Sequence, residues 1–296
     1  MPQAESWAGR AWPMQPNLLK KLLAVPSHSF HEEKMVSFIM EHVNKRGVAR
    51  CGRATVDEHN NVLIVKGNAR FAPCLAAHTD TVHRWSEVQI IQQDGIIFAV
   101  DTQGHRVGPG ADDKTGIYIA LELLERFCNI SAAFFAAEEV GCIGARNARA
   151  DFFERVGYVM EFDCPARGLV SYTSGGVRLF KHDGEFIKRA IPVLQRHGAT
   201  RWQHHPYSDV KALRQRFDIE TLNLSAGYRH WHRDDEFVDV AEVAAALNLG
   251  EELIRALGEQ CYEFRVGEPE SPCPPMEVTA MTVDEPEAWP PKAASR

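Results

Sequence analysis

Three apolar runs in this 296-residue chain each end on a polar residue able to hold a metal or carry a proton. Pro73-Cys74-Leu75-Ala76-Ala77 runs into His78, Ala132-Ala133-Phe134-Phe135-Ala136-Ala137 runs into Glu138, and Tyr158-Val159-Met160 passes through Glu161-Phe162 to Asp163. Short, nearly continuous apolar runs suit strands buried on both faces, as in a parallel sheet covered by helices. In open α/β sheets functional groups collect at the carboxyl ends of such strands, so the three endings are expected to meet in space.

Helical and strand patterns alternate around these runs. Asn17 to Ala24 and Phe30 to Lys45 read as helices, the second carrying Met35, Phe38, Ile39 and Val43 at helical spacing. Val62 to Val65 reads as a strand, and Asp94-Gly95 as the hairpin turn into Ile96 to Val100. Lys114 to Cys128 repeats apolar residues on one face, and Asp112 and Asp113 stand where a helix start favours acidic caps. A short helix is expected near Gly144 to Ala150, a further segment at Val177 to Phe180, helices near Phe186 to Arg196 and Ser208 to Arg216, a strand at Thr221 to Leu224, and an amphipathic helix from Val240 to Leu257. The expected fold is α/β, a three-layer α/β/α sandwich on a mostly parallel, mixed sheet. Residues 1–266 are expected to form one catalytic domain. From Gly267 onward Pro, Glu, Ser and Ala dominate, so 267–296 reads as a disordered tail.

The charge of -7 and pI near 6.0 argue against nucleic acid and anionic lipid as partners. No apolar run approaches the roughly eighteen residues of a membrane span, and Met1 to Asn17 lacks the basic start and apolar stretch of a secretory signal, so the cytoplasm is the expected location. Cys51, Cys74, Cys128, Cys142, Cys164, Cys261 and Cys273 form an odd, scattered set without C-x-x-C, which reads as reduced thiols. Cys142 and Cys164 lie next to candidate site residues and are candidates for oxidation.

His78 and Asp80 lie two apart on a strand and so point to one side, an imidazole with a carboxylate behind it, or a hydrogen-bonded pair at a strand end. Glu138-Glu139 places two like charges at the edge of the core. Either both are solvated at a helix start, or a cation compensates them and one carboxylate binds metal while the other takes a proton from water. Asp163 ends its strand before Cys164-Pro165 and could equally cap a turn. Gly227 to Glu236 is a polar, aromatic stretch in which His230 or His232 could be a ligand. Two histidines with three or four carboxylates supply the N/O donors that two Zn²⁺ ions require, and Co²⁺ or Mn²⁺ would also suit them.

In these ordered motifs the chain resembles the co-catalytic zinc exopeptidase superfamily that includes peptidase T and the bacterial leucyl aminopeptidases. The resemblance spans most of residues 17 to 260. It also takes in Leu18 to Ser27 with Glu32, the Asp57 to Asn61 turn, Gly110 to Gly116, Glu138 to Gly144, and His232 with Glu236 four residues on. It implies that His78, Asp112 and Asp163 hold one metal and that Asp112, Glu139 and His232 hold the other, with Asp112 bridging. It further implies Glu138 as general base, Asp80 as the orienting carboxylate and a cis Asp112–Asp113 peptide. His232 is preferred to His230 because Glu236 follows it at the family's spacing. His28, His83, His105, His182, His197, His204 and His205 match no ligand position, although His204, His205 and Tyr207 are candidates for touching substrate.

Relatives in this superfamily insert a lid domain between the equivalents of Asp163 and His232, where this chain has only 68 residues, or after the His-x-Asp segment, where it has 31 before Asp112. The histidine and arginine that a lid contributes to the oxyanion and the substrate carboxylate are therefore unassigned. The functional expectation is a dinuclear zinc aminopeptidase acting on short peptides. The alternatives are an N-acyl amino acid deacylase using the same metals and a non-catalytic binding domain of this fold.

Overall fold

The computed structural model describes residues 15–47 and 52–264. The expected tail at 267–296, Cys51 and Cys273 lie outside the described residues. In chain order the first half comprises α1 (Pro16–Leu23), α2 (Glu33–Lys45), β1 (Gly52–Val56), β2 (Val62–Lys66), β3 (Ala72–His78), β4 (Gln89–Gln93), β5 (Ile96–Val100), β6 (Arg106–Val107), α3 (Ala111–Arg126) and β7 (Ile130–Phe135). The second half comprises α4 (Ile143–Arg146), α5 (Ala150–Phe153), β8 (Val156–Cys164), β9 (Leu169–Ser174), β10 (Val177–Arg178), α6 (Glu185–Arg196), β11 (Arg201–His205), α7 (Asp209–Phe217), β12 (Thr221–Ser225), β13 (Tyr228–Arg229), β14 (Phe237–Asp239) and α8 (Val240–Leu257).

The nine-stranded main sheet runs β1-β2-β7-β3-β8-β12-β9-β10, with β11 also beside β9. Its centre is parallel: β3 lies between β7 and β8, and β8 pairs with β12. The flanks β1–β2, β2–β7, β12–β9 and β9–β10 are antiparallel. All residues of β3, β7 and β8 are buried, as their apolar runs predict. A strand buried on both faces needs helices on both. Phe162 of β8 meets Gly250 of α8, whereas its neighbour Glu161 accepts the Val210 N–H of α7 at 3.5 Å, so α8 and α7 cover opposite faces. Helices α1, α3 and α6 pack with α8 on one side, and α4 packs on α7. The architecture is the expected α/β sandwich on a mixed sheet.

Local chemistry accounts for the element ends. Asp239 caps α8, its Oδ1 accepting the N–H groups of Ala241 at 2.9 Å and Glu242 at 3.1 Å. The Gly144 to Ala150 expectation resolves into two short helices separated by an extended residue, Arg149. The Val177 to Phe180 segment is a strand over only two residues. Strands β4, β5, β6, β13 and β14 form a second, antiparallel sheet, of which only the Asp94-Gly95 hairpin was legible. The pairing of β14 with β5 joins segments far apart in sequence, which no local pattern reports.

Residues 164–231 build β9 to β13, α6 and α7, all of them parts of the two sheets or helices packed on the main one. No separate lid arises from this segment. Among the described residues no helix is long and apolar enough to cross a membrane.

Helix α8 is seated by the absence of a side chain. A Cβ on Gly250 would lie 2.8 Å from Phe162 Cζ and 2.9 Å from Leu123 Cδ1. Gly250→Val is therefore expected to destabilise the protein by about 1–3 kcal/mol through overpacking, read as a lower urea midpoint at unchanged m-value.

Candidate two-metal site

The three strand endings meet. His78 closes β3, Asp163 lies near the end of β8, and Glu138-Glu139 follow β7. Two further elements close in on them: the start of α3, carrying Asp112 and Asp113, and the loop between β13 and β14, carrying His232. His78 Nε2 lies 3.1 Å from Asp112 Oδ1 and 3.6 Å from Asp163 Oδ1. His232 Nε2 lies 3.0 Å from Glu139 and 3.4 Å from Asp112 Oδ2. Asp112 thus stands between the two histidines, one oxygen toward each. His230 turns away and places Nδ1 2.9 Å from Asp235, which leaves His232 as the histidine of this loop that faces the cluster.

Two groups have ligand atoms within 4.8 Å of one another: His78, Asp113 and Asp163, and His78, Asp112 and Glu139. Asp113 is the member that the sequence reading omits. One of its oxygens does act as the expected cap, accepting the Gly116 N–H at 3.0 Å, but Oδ2 is buried without a partner among the described residues. Neither Asp112 nor Asp113 has helical backbone angles, and the peptide joining them is cis.

Three further carboxylates position this cluster through main-chain N–H groups. Fully buried Asp80 accepts the N–H of Glu138 at 2.9 Å, that of Glu139 at 3.2 Å and the Ser29 hydroxyl at 2.7 Å, and its Oδ1 lies 3.4 Å from His78 Nδ1. It thereby ties the end of β3 to both glutamates after β7. Glu236 accepts the N–H groups of Gly110 at 2.7 Å, Ala111 at 3.1 Å and Asp112 at 3.3 Å, anchoring the start of α3. Glu32 accepts the Ala137 N–H at 3.1 Å, one residue before the glutamate pair. In the sequence Glu32 and Glu236 belong to the matched motifs, but nothing local tells which N–H groups they reach. Backbone strain also gathers here, since Ala137, Cys142, His230 and His232 all have left-handed φ.

Burial and mutual repulsion dominate the electrostatics. Burial, then the charge of Asp112, pushes the Asp163 carboxyl well above the ordinary carboxylate range. Burial also raises Asp113 well above that range, Glu138 above it, and Glu139 to about 7. Asp112 behaves oppositely: burial disfavours its charge, but the rings of His232 and His78 prevail and hold it low. Burial lowers both histidines, yet the carboxylates around them prevail, raising His232 to about 10 and His78 well above its ordinary value. Two more buried acids, Glu161 and Asp209, were not marked as site residues in the sequence. Burial pushes both well up, helped by the charge of Asp163 at Glu161 and of Glu161 at Asp209, and among the described residues Glu161 Oε1 and both Asp209 oxygens have no hydrogen-bond partner.

Cys142 Sγ lies 3.4 Å from Glu138 Oε1, while Cys164 Sγ contacts Ser171 and Gln203. Both thiols are buried, which pushes both far up and disfavours the reactive thiolate.

A cavity of about 400 Å³ opens onto the cluster, lined by Asp112, Glu138, Glu139 and Asp163 together with His205, Tyr207, Tyr228 and Trp231. Tyr228 also donates its hydroxyl to Asp163 Oδ1 at 3.3 Å. His204 does not line the cavity; its ring bonds the Thr173 hydroxyl at 2.5 Å.

The profile of peptidase family M20/M25/M40 matches residues 74–276, a span that contains every group described above except Ser29 and Glu32. The chain belongs to this family. With two candidate metal clusters in place, this family member is a metallohydrolase of the exopeptidase type, acting on peptide or small amide substrates. Its fold is shared with the aminopeptidase PepT from Bacillus cereus (TM-score 0.69, 15% identity, covering 82% of this chain and 97% of that one). The fold also matches a tripeptidase from Staphylococcus aureus (0.65, 16%, 81% and 98%) and the TET1 peptidase from Pyrococcus horikoshii (0.60, 15%, 80% and 98%). No curated protein matches the sequence significantly.

Residues of this M20 chain fit a pair of divalent ions on their own chemistry: buried N/O donors, converging carboxylates and, among the described residues, an unpartnered Asp113 oxygen and no lysine or arginine in the cavity lining. Raised folded-state values for Asp113, Asp163, Glu139, His78 and His232 mean that the metal-free native state holds more protons than the unfolded chain. Its stability should therefore fall as pH rises from about 5 to about 9. Urea midpoints of chelator-treated protein are expected to decline across that range, and saturating Zn²⁺ to reverse the decline. Proton release on metal binding, measured calorimetrically in buffers of different ionisation enthalpy, checks the same coupling.

Proposed function

We propose that the protein is a dinuclear zinc aminopeptidase acting on short peptides. The observation that carries this reading is the character of the cavity: aromatic and proline residues line it together with the carboxylates of the cluster, and among the described lining residues there is no lysine or arginine. Such a lining suits an apolar side chain. Among the described residues it has no lysine or arginine to clamp the terminal carboxylate that a carboxypeptidase or a deacylase of N-acyl amino acids would have to hold.

In this reading His78, Asp112 and Asp163 would hold one metal, Asp112, Glu139 and His232 would hold the other, and Asp113 would offer a further oxygen to the first. When bound, the metals supply Lewis acidity, lowering the pKa of water and polarising the scissile carbonyl. Glu138 takes the proton from the attacking water and passes it to the leaving amine, a role suited to a carboxylate whose proton affinity burial has raised. Asp80 orients His78 and, through the N–H groups of residues 138 and 139, both glutamates. The donor set favours zinc, with Co²⁺ or Mn²⁺ as substitutes.

The cavity draws on the ends of the main sheet and on Tyr228 of the small sheet, which supports reading residues 1–266 as one catalytic domain. Free Cys74, Cys128, Cys142, Cys164 and Cys261 support a cytoplasmic location.

Glu138→Gln is expected to lower kcat/KM on free dipeptides and tripeptides by roughly a hundredfold to ten-thousandfold while two metals per chain remain by elemental analysis. Acetylating the amino terminus of the substrate should abolish turnover by the wild type. Full activity in the variant would exclude Glu138 as base, and preferred cleavage of N-acyl amino acids would replace the aminopeptidase by the deacylase.

A further inference from the structure

His205 ends β11, and its backbone is fixed there by the Gly175 N–H, which its carbonyl accepts at 2.8 Å. Its ring lines the cavity beside the carboxylates of the cluster. Nδ1 is hydrogen-bonded to the carbonyl oxygen of Tyr207. A carbonyl only accepts, so Nδ1 carries the proton of this bond. Burial lowers the affinity of the ring for a second proton, leaving Nε2 with a lone pair. Among the described residues Nε2 has no hydrogen-bond partner, and it is not among the buried orphaned atoms, so it is an accessible acceptor on a residue that lines the cavity.

An imidazole in this state presents an acceptor, not a donor. A developing oxyanion or a substrate carboxylate would meet a lone pair at Nε2 and be repelled. A substrate N–H would be accepted there. We propose that His205 reads the free amino terminus of the substrate, its Nε2 accepting a hydrogen bond from the α-ammonium group of a short peptide. His205 is then a specificity-determining residue contributed by the core sheet, in a chain whose segment between Asp163 and His232 forms no lid. The inference rests on the aminopeptidase reading and deepens it.

The test compares kcat/KM on Leu-Gly-Gly and on its des-amino counterpart, isocaproyl-glycylglycine, for the metal-loaded full-length enzyme. The ratio of the two values measures how strongly the amine is recognised. In His205→Asn the side-chain amide reaches the place of Nδ1 and can keep the bond to Tyr207, but nothing reaches the place of Nε2. The ratio should fall roughly tenfold to a hundredfold, the scale of a hydrogen bond to a charged group. In His205→Gln the carbonyl oxygen reaches the place of Nε2, and the ratio should recover at least threefold over His205→Asn, which a general loss of folding would not produce. A wild-type ratio retained in His205→Asn overturns the inference alone, as does an equal loss on both substrates. A wild type that turns over both substrates alike overturns the aminopeptidase reading, and this inference with it.

Discussion

Carboxylates crowd around one buried imidazole, and most of what is unusual in this structure follows from placing them there. Asp80, Asp112, Asp113, Glu138 and Asp163 are all buried close to His78, where water cannot screen their repulsion. Two solutions to that crowding coexist. Asp80 and Glu236 turn their oxygens to main-chain N–H groups and become fixed scaffolding. Asp112, Asp113, Glu139 and Asp163 converge instead, with an Asp113 oxygen left unmatched, in an arrangement that only protons or cations can balance.

The scaffolding acids make the arrangement precise. Asp80 couples the end of β3 to the two glutamates that follow β7, and Glu236 couples the β13–β14 loop to the start of α3. Through Glu236 the histidine loop and the aspartate pair become one unit, because the acid that anchors residues 110–112 lies four positions after His232. Such links give the site rigidity without a covering domain, and they leave the cavity walls to residues of the core: Pro165 after β8, His205 at the end of β11, Tyr228 on β13 and Trp231 after it.

The buried strands and long helices were legible because their signals are local. The apolar runs before His78 and Glu138 and toward Asp163 are β3, β7 and β8, and α6, α7 and α8 lie within a residue or so of their predicted limits. Strands β1, β9 and β11 were missed: β1 and β11 are polar and partly exposed, and β9 mixes small polar residues with apolar ones, so neither periodicity nor composition marks them. The second sheet was missed because β14 and β5 meet only through tertiary pairing.

By itself the sequence determined the ordered set of ligand-type residues and the strand ends on which they stand, because hydrophobic runs and the residues that terminate them are properties of contiguous chain. It left His230 and His232 open, and the family resemblance at Glu236 favoured His232. Only the tertiary structure decided which N–H groups Asp80 and Glu236 would hold, that Asp113 would join His78 and Asp163, and that His205 would face the cavity with one nitrogen committed to the backbone. Those outcomes depend on distances between segments dozens to more than a hundred residues apart, and on which oxygen or nitrogen of a side chain is already taken. Hydrogen-bond partners are settled only when the sheets close and the helices seat against them.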